Sequence, residues 1–148
     1  MRLVLDTNIV VSALIWDGLP RQLLDLARNE HVTLFTSSPL LDELANVLAR
    51  EKFAALLKSQ AITPAFLMQR YGLLATLVKP QAIERTVRDA DDDVVIATAL
   101  AAQADMIVTG DKDLLVLHPY NGLPILDTAA TLQHLQTHQN PDVNAQLK

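Results

Sequence analysis

Cysteine is absent from this sequence, so a disulfide framework, a thiolate metal site and a cysteine nucleophile are all excluded. Aromatic residues make up only 4% of the chain although half of it is hydrophobic. The core must therefore be built from Leu, Val, Ile and Ala, as in layered folds of helices and parallel strands. Long apolar runs are also missing. The longest near the start, Ile9 to Trp16, contains Ser12 and falls short of the roughly 20 residues a membrane-spanning helix needs. Asp6 and Asn8 interrupt any signal-peptide core, and a cytoplasmic location is expected. Basic charge is short as well: 12 Lys and Arg stand against 17 Asp and Glu, a net charge of -5. That balance supplies no general attraction to nucleic acid.

What is present is a local excess of carboxylates. Asp89, Asp91, Asp92, Asp93, Asp105, Asp111 and Asp113 crowd one short region. Such a concentration invites divalent cations, which reverse the sign of the field that a phosphate meets.

The 148 residues are about one domain in length, enough to bury roughly two thirds of the unfolded surface around one core. A single domain is expected over residues 1–138, followed by a polar, frayed tail over 139–148. Leu3, Val4 and Leu5 read as a short buried strand that ends at Asp6. A broken helix follows, from Ile9 through Trp16 and again from Arg21 to Arg28, with a turn signal at Asp17, Gly18 and Pro20. Val32 to Thr36 reads as a second strand. Ser37, Ser38 and Pro39 then open a helix by serine capping with proline at the first helical position. In that helix Leu40, Leu41, Leu44, Val47 and Leu48 follow helical spacing, which leaves Glu43 at the margin of the buried stripe.

Two further helices are expected over residues 54–75, divided around Ile62 to Pro64, then a third strand over Ala75 to Val78. Val94 to Ala104 is apolar on almost every side and dense in alanine, the pattern of a buried helix packed on a sheet. Ala104 to Thr109 reads as a fourth strand and Pro124 to Leu126 as a fifth, with a last helix from Asp127 or Thr128 that fades near His138. Strands alternating with helices predict an α/β architecture with a mainly parallel sheet. Ligands in such sheets bind outside the carboxyl ends of the strands, where the winding reverses.

That rule brings four acids to one edge. Asp6 closes the first strand, Glu43 lies in the second turn of the helix after the second, Asp93 opens the helix after the third, and Asp111 follows the fourth. Four such side chains repel one another unless cations are bound between them. Oxygen-only ligation selects hard ions, Mg²⁺ or Mn²⁺. One or two such ions would activate a water and hold a phosphodiester for direct hydrolysis.

Each acid alone also has a plain structural reading. Asp6 could be a strand-terminal turn residue and Glu43 a solvated helix residue. Asp91 to Asp93 could stabilise a helix start by about 0.3 to 1 kcal/mol, and Asp111 could be turn chemistry in Gly-Asp-Lys-Asp. Together, however, the pieces carry a resemblance. Asp6-Thr7-Asn8, the isolated Glu43 after Ser37, Asp91-Asp92-Asp93 leading into Val94, Val95, Ile96 and Ala97, and Val108-Thr109-Gly110-Asp111-Lys112-Asp113-Leu114 resemble the PIN domain over residues 1 to about 130. More narrowly, the chain is similar to toxin components of toxin–antitoxin pairs.

The resemblance implies a three-layer α/β/α fold with strand order 3-2-1-4-5, Mg²⁺ or Mn²⁺ dependence and RNA cleavage. It also implies a cognate antitoxin and a homodimer or higher homo-oligomer. By motif position it makes Asp6, Glu43, Asp93 and Asp111 the catalytic, metal-site acids and Asp113 an auxiliary acid. Thr7, Asn8 and Thr109 orient ligands or their waters. The register set by Ile96 and Ala97 points to Asp93, with Asp92 the rival ligand.

Lys112, beside Asp111, leads the basic residues expected to touch phosphate, with Arg85 and Arg88, then Arg21, Arg50 and Lys52. Trp16 and Tyr71 could stack on bases, although core or partner contacts are the stronger expectation. His134 and His138 are taken as a solvated face. Two other functions compete: a catalytically silent PIN fold that binds RNA or protein, and a metal-dependent phosphatase. An Asp-x-Asp phosphatase would need an aspartate where Asn8 stands, and a receiver domain would need its phosphoacceptor where Lys79 and Pro80 stand.

Overall fold

A computed structural model describes residues 1–82 and 90–139 of the chain, with the side chains of 90–92, 138 and 139 outside that description. The chain order is β1 (Arg2–Leu5), α1 (Thr7–Ile15), α2 (Leu19–Arg28), β2 (Thr33–Thr36), α3 (Ser38–Leu48), α4 (Glu51–Ser59), α5 (Pro64–Leu74), β3 (Ala75–Leu77), α6 (Ala90–Ala101), β4 (Met106–Val108), α7 (Lys112–Leu115), β5 (Ile125–Leu126) and α8 (Thr128–Gln139). The strands form one sheet in the order β3-β2-β1-β4-β5, and every pairing in it is parallel.

The strands are short, and alternation along them divides the core in two. Leu3, Leu5, Leu34, Met106 and Val108 face one side, where they pack with residues of α1, α2, α3, α5 and α8. Val4, Phe35, Ile107 and Ile125 face the other, against Val95, Ile96, Ala99 and Ala102 of α6 and its following turn. This is a three-layer α/β/α sandwich. Helix α3 belongs to both cores: Leu40 packs with the α6 side, whereas Leu44, Val47 and Leu48 pack with the α1 side. Glu43 therefore stands on the stretch of α3 where the two layers meet.

The local rules explain most boundaries. Thr63 caps α5 by accepting from the Phe66 N–H at 3.1 Å, with Pro64 in the first turn. The turn at Trp16 to Gly18 separates α1 from α2, and Arg21 fastens that joint by donating Nε to the Ala13 carbonyl and Nη2 to the Leu14 carbonyl. Among the described residues no helix is long and apolar enough to cross a membrane.

Three details differ from the sequence reading. The helix after β2 begins one residue earlier than the proline suggests, so Pro39 is at its second position; Ser37 is the N-cap but makes no capping bond. Residues 112–115 form a single helical turn, where the Gly-Asp-Lys-Asp motif suggests only a turn. The helix before β4 spans Ala90–Ala101, so Asp93 lies in its first turn and not at its opening.

Tyr71 is the largest fully buried side chain, and its hydroxyl has no hydrogen-bond partner among the described residues. Burial pushes its phenol above the ordinary value near 10. An unpartnered buried hydroxyl costs about 1–3 kcal/mol. Tyr71→Phe is therefore expected to raise stability at neutral pH by about 1 kcal/mol, read from the urea midpoint. Because the folded state holds the neutral phenol, this group's contribution is constant below about pH 10 and is lost as pH rises further. The variant should show a flatter alkaline limb, and a lower midpoint at neutral pH would refute this account.

Candidate metal centre

The strand order reverses between β1 and β4, because the chain winds outward from β1 to β2 and β3 and then returns to the other side of β1. The crevice outside the carboxyl ends of those two strands is where such a sheet binds ligands. Asp6 follows β1 directly, and Thr109 and Asp111 follow β4. The Asp6 N–H donates to the Val108 carbonyl at 2.9 Å, which extends the β1–β4 ladder to this point.

A run of hydrogen bonds joins the acids at this edge. Asp6 is the N-cap of α1 and is 7% exposed. Its Oδ1 accepts from the Thr7 N–H at 2.8 Å, and its Oδ2 accepts from the Thr109 hydroxyl at 2.7 Å. The Thr7 hydroxyl in turn donates to Oε2 of Glu43 at 2.9 Å, across from α1 to α3. On the other side the Thr109 oxygen accepts from the Asp111 N–H at 3.0 Å, and Asp111 Oδ1 caps α7 by accepting from the Asp113 N–H at 2.8 Å. Asp6, Thr7, Glu43, Thr109, Asp111 and Asp113 thus form one connected set. Thr7 and Thr109 are both buried. The start of α1 also faces Asp6, and a helix amino terminus favours negative charge.

Asp93 reaches the same edge by topology. Helix α6 leads into β4, whose first residue lies at the amino edge of the sheet, so the start of α6 lies at the carboxyl edge. Asp93 is half-buried in that first turn. The side chain of Asp92 lies outside the described residues, as do Arg85 and Arg88. Asn8 is exposed on the first turn of α1 and Lys112 is exposed at the start of α7.

Other candidate residues have roles or places of their own. Tyr71 is buried in the core, in line with the stronger expectation for it, and cannot stack on a base. Arg21 is committed to the end of α1. Trp16 is 51% exposed, so it is not core, and it caps the end of α1 opposite Asp6, about 15 Å away along the axis. Arg50 lines an apolar hollow with Leu57 and Ile62, and Lys52 lies over the Phe53 ring at 5.0 Å. His134 is half-buried, against its reading as a solvated face, and the side chain of His138 is outside the described residues.

Carboxylates with neighbouring hydroxyls form an oxygen-only donor set, which suits a hard divalent cation. Among the described residues no group of three or more His, Asp or Glu side chains is placed to hold a metal ion. The fit to such an ion rests on the chemistry of the donors, with Asp6 and Glu43 linked through Thr7 and Asp6 linked to Asp111 through Thr109.

The sequence reading missed one polar contact close by. Ser37, which the structure makes the N-cap of α3, pairs its hydroxyl with that of Thr98 on α6 at 2.8 Å, with both residues fully buried. The available signal was Thr98 itself, a single hydroxyl inside the apolar stretch Val94 to Ala102.

Comparison with known proteins agrees with the fold. A family model described as PIN domain matches residues 2–113. The uncharacterised protein MJ1680 of Methanocaldococcus jannaschii is 31% identical over 122 residues, which covers 82% of this chain and 77% of that protein. Among solved structures, VapBC2 from Rickettsia felis, crystallised bound to a DNA fragment from their promoter, matches with a TM-score of 0.57. That match has 20% identity, covers 84% of this chain and 97% of the other, and shows a shared fold. By the family model that matches residues 2–113, and with a sheet order in keeping with it, this chain belongs to the PIN domain family.

Proposed function

We propose that this chain is an Mg²⁺- or Mn²⁺-dependent endoribonuclease, the toxin of a toxin–antitoxin pair. The observation that carries the reading is the hydrogen-bonded run from Glu43 through Thr7, Asp6 and Thr109 to Asp111 at the switch point of the sheet. A buried acid held by two donors, with further acids linked through hydroxyls on both sides, has its orientation fixed before any ligand arrives. Fixed orientation in the resting state is what a reaction centre gains most from its supporting residues.

In this reading Asp6, Glu43, Asp93 and Asp111 hold the ion, with Asp113 or Asp92 as supplementary ligands. When bound, Mg²⁺ or Mn²⁺ supplies the Lewis acidity that phosphodiester hydrolysis needs. The protein does the rest. Thr7 fixes the rotamer of Glu43, and Thr109 fixes Asp6 while holding the backbone of Asp111. Asn8 and Lys112, both exposed at the rim, contact the RNA strand, with Lys112 supplying positive charge that the net -5 of the whole chain does not.

The fold shared with VapBC2, a protein solved on promoter DNA, supports a cognate antitoxin as partner. Phe66 and Leu73, seven apart on α5, and Leu77 on the edge strand β3 are exposed apolar residues, and they support a homodimer or larger homo-oligomer. The competing reading is a silent PIN domain that only binds.

Asp6→Asn separates the two. The amide keeps an oxygen for the Thr7 N–H, so the fold should persist with a melting temperature within a few degrees of the native protein. Cleavage of single-stranded or transfer RNA in Mn²⁺ should fall by at least about 100-fold, because a charged ligand at the centre is lost. Equal cleavage by both proteins would sink the nuclease assignment.

Thr109→Val tests the orienting role. It removes the donor to Asp6 and the acceptor of the Asp111 N–H while nearly preserving volume. Loss of such a supporting bond is expected to weaken Mn²⁺ affinity by about 10- to 100-fold, measured by calorimetry. Unchanged affinity would show that Asp6 needs no hydroxyl to hold it.

A further inference from the structure

Helices α3 and α6 carry Glu43 and Asp93, and they touch near the start of α3. Most of their contact is apolar: Leu40 of α3 packs in the same core as Val95, Ile96 and Ala99 of α6. Apolar packing is non-directional and tolerates small axial sliding. A hydrogen bond between two buried hydroxyls does not, because it weakens steeply with length and angle. The contact between Ser37 Oγ and Thr98 Oγ1, 2.8 Å long with either oxygen able to donate, is such a bond. Both residues are 0% exposed, so water cannot replace the missing partner if the helices shift.

The position of the pair along the helices matters. Ser37 precedes Glu43 by six residues, about 9 Å along a helix, and Thr98 follows Asp93 by five, about 7.5 Å. Each hydroxyl is therefore tied to its acid through less than two turns of rigid helix. Ala97, next to Thr98, is held as well, since its carbonyl accepts the Gln81 N–H at 3.0 Å. Ser37 has given up the capping bond that its position offers in order to make this contact.

We infer that Ser37 and Thr98 are positioning residues: their buried hydroxyl pair fixes the axial offset of α3 against α6, and with it the spacing of Glu43 and Asp93 for a divalent ion. This rests on the reading of those acids as metal ligands. Neither hydroxyl touches the ion or the RNA; both act through the acids.

The test uses the full chain with Mn²⁺ alone as probe. Ser37→Ala by itself strands the Thr98 hydroxyl and is expected to lower the melting temperature. The double variant Ser37→Ala with Thr98→Val removes both polar groups at nearly constant volume, so it should melt close to the native protein. In that stable double variant the Mn²⁺ dissociation constant should rise about tenfold, as for loss of a supporting contact. For RNA cleavage kcat should fall by a similar factor while KM stays nearly constant. Thr98→Ser alone, which keeps a hydroxyl to pair with Ser37, should retain native values.

Asp6→Asn measured beside it separates the possible failures. If Asp6→Asn weakens Mn²⁺ binding but the double variant binds like the native chain, the hydroxyl pair has no positioning role and the inference is overturned alone. If Asp6→Asn also binds Mn²⁺ like the native chain, the metal reading fails and the inference falls with it.

Discussion

The arrangement depends on a carboxylate that the fold keeps out of water. Asp6 is 7% exposed at the end of a central strand, and a charge so placed is tolerated only where donors surround it. Two of those donors are the Thr7 N–H, available because α1 begins at that residue, and the Thr109 hydroxyl, available because β4 lies beside β1. The second does not exist without the parallel pairing of β1 with β4, strands separated by about 100 residues of chain. The long-range topology and the local chemistry at this edge are therefore the same requirement.

Magnitudes agree with that emphasis. Hydrogen bonds to a charged group are worth about 1.5–3 kcal/mol each, more where water is excluded. The exposed pair between Arg28 and Asp25, 3.5 Å apart with both side chains about half exposed, belongs to a class worth about 0–1 kcal/mol. Surface ion pairs of this kind thus add little. Short polar contacts out of open water join the elements at this edge instead: Thr109 to Asp6 and Ser37 to Thr98, both buried, and Thr7 to Glu43, partly buried.

Much of this was legible in the sequence because it follows from short-range rules. The run Leu3-Val4-Leu5 ended by Asp6 has no helical reading, and the alanine-rich stretch after Asp93 has no exposed one. Placing strand ends and helix starts on one edge then gathers Asp6, Glu43, Asp93 and Asp111 without any knowledge of contacts. What stayed hidden depends on side chains choosing between local and distant partners. Ser37 sits where a cap is expected, and only the packing of α6 against α3 shows that its hydroxyl goes elsewhere. Tyr71 is expected in the core or against a partner, and only tertiary packing decides for the core and leaves its hydroxyl without a partner among the described residues. Arg21 reads as a free cation until the break between α1 and α2 supplies two carbonyls for it. Lys112 to Leu115 is too short for periodicity to distinguish a helical turn from a loop.

The shortness of the strands has a further bearing on how the molecule can go wrong. With β4 only Met106–Val108 and alternate residues assigned to opposite cores, a slip of one position against β1 would turn Met106 and Val108 toward α6 and Ile107 toward α1. The same slip would carry Thr109 away from Asp6. A misregistered chain would consequently lose its packing and its acidic cluster in one stroke, so half-formed molecules arising during synthesis or after damage should be chemically inert as well as unstable.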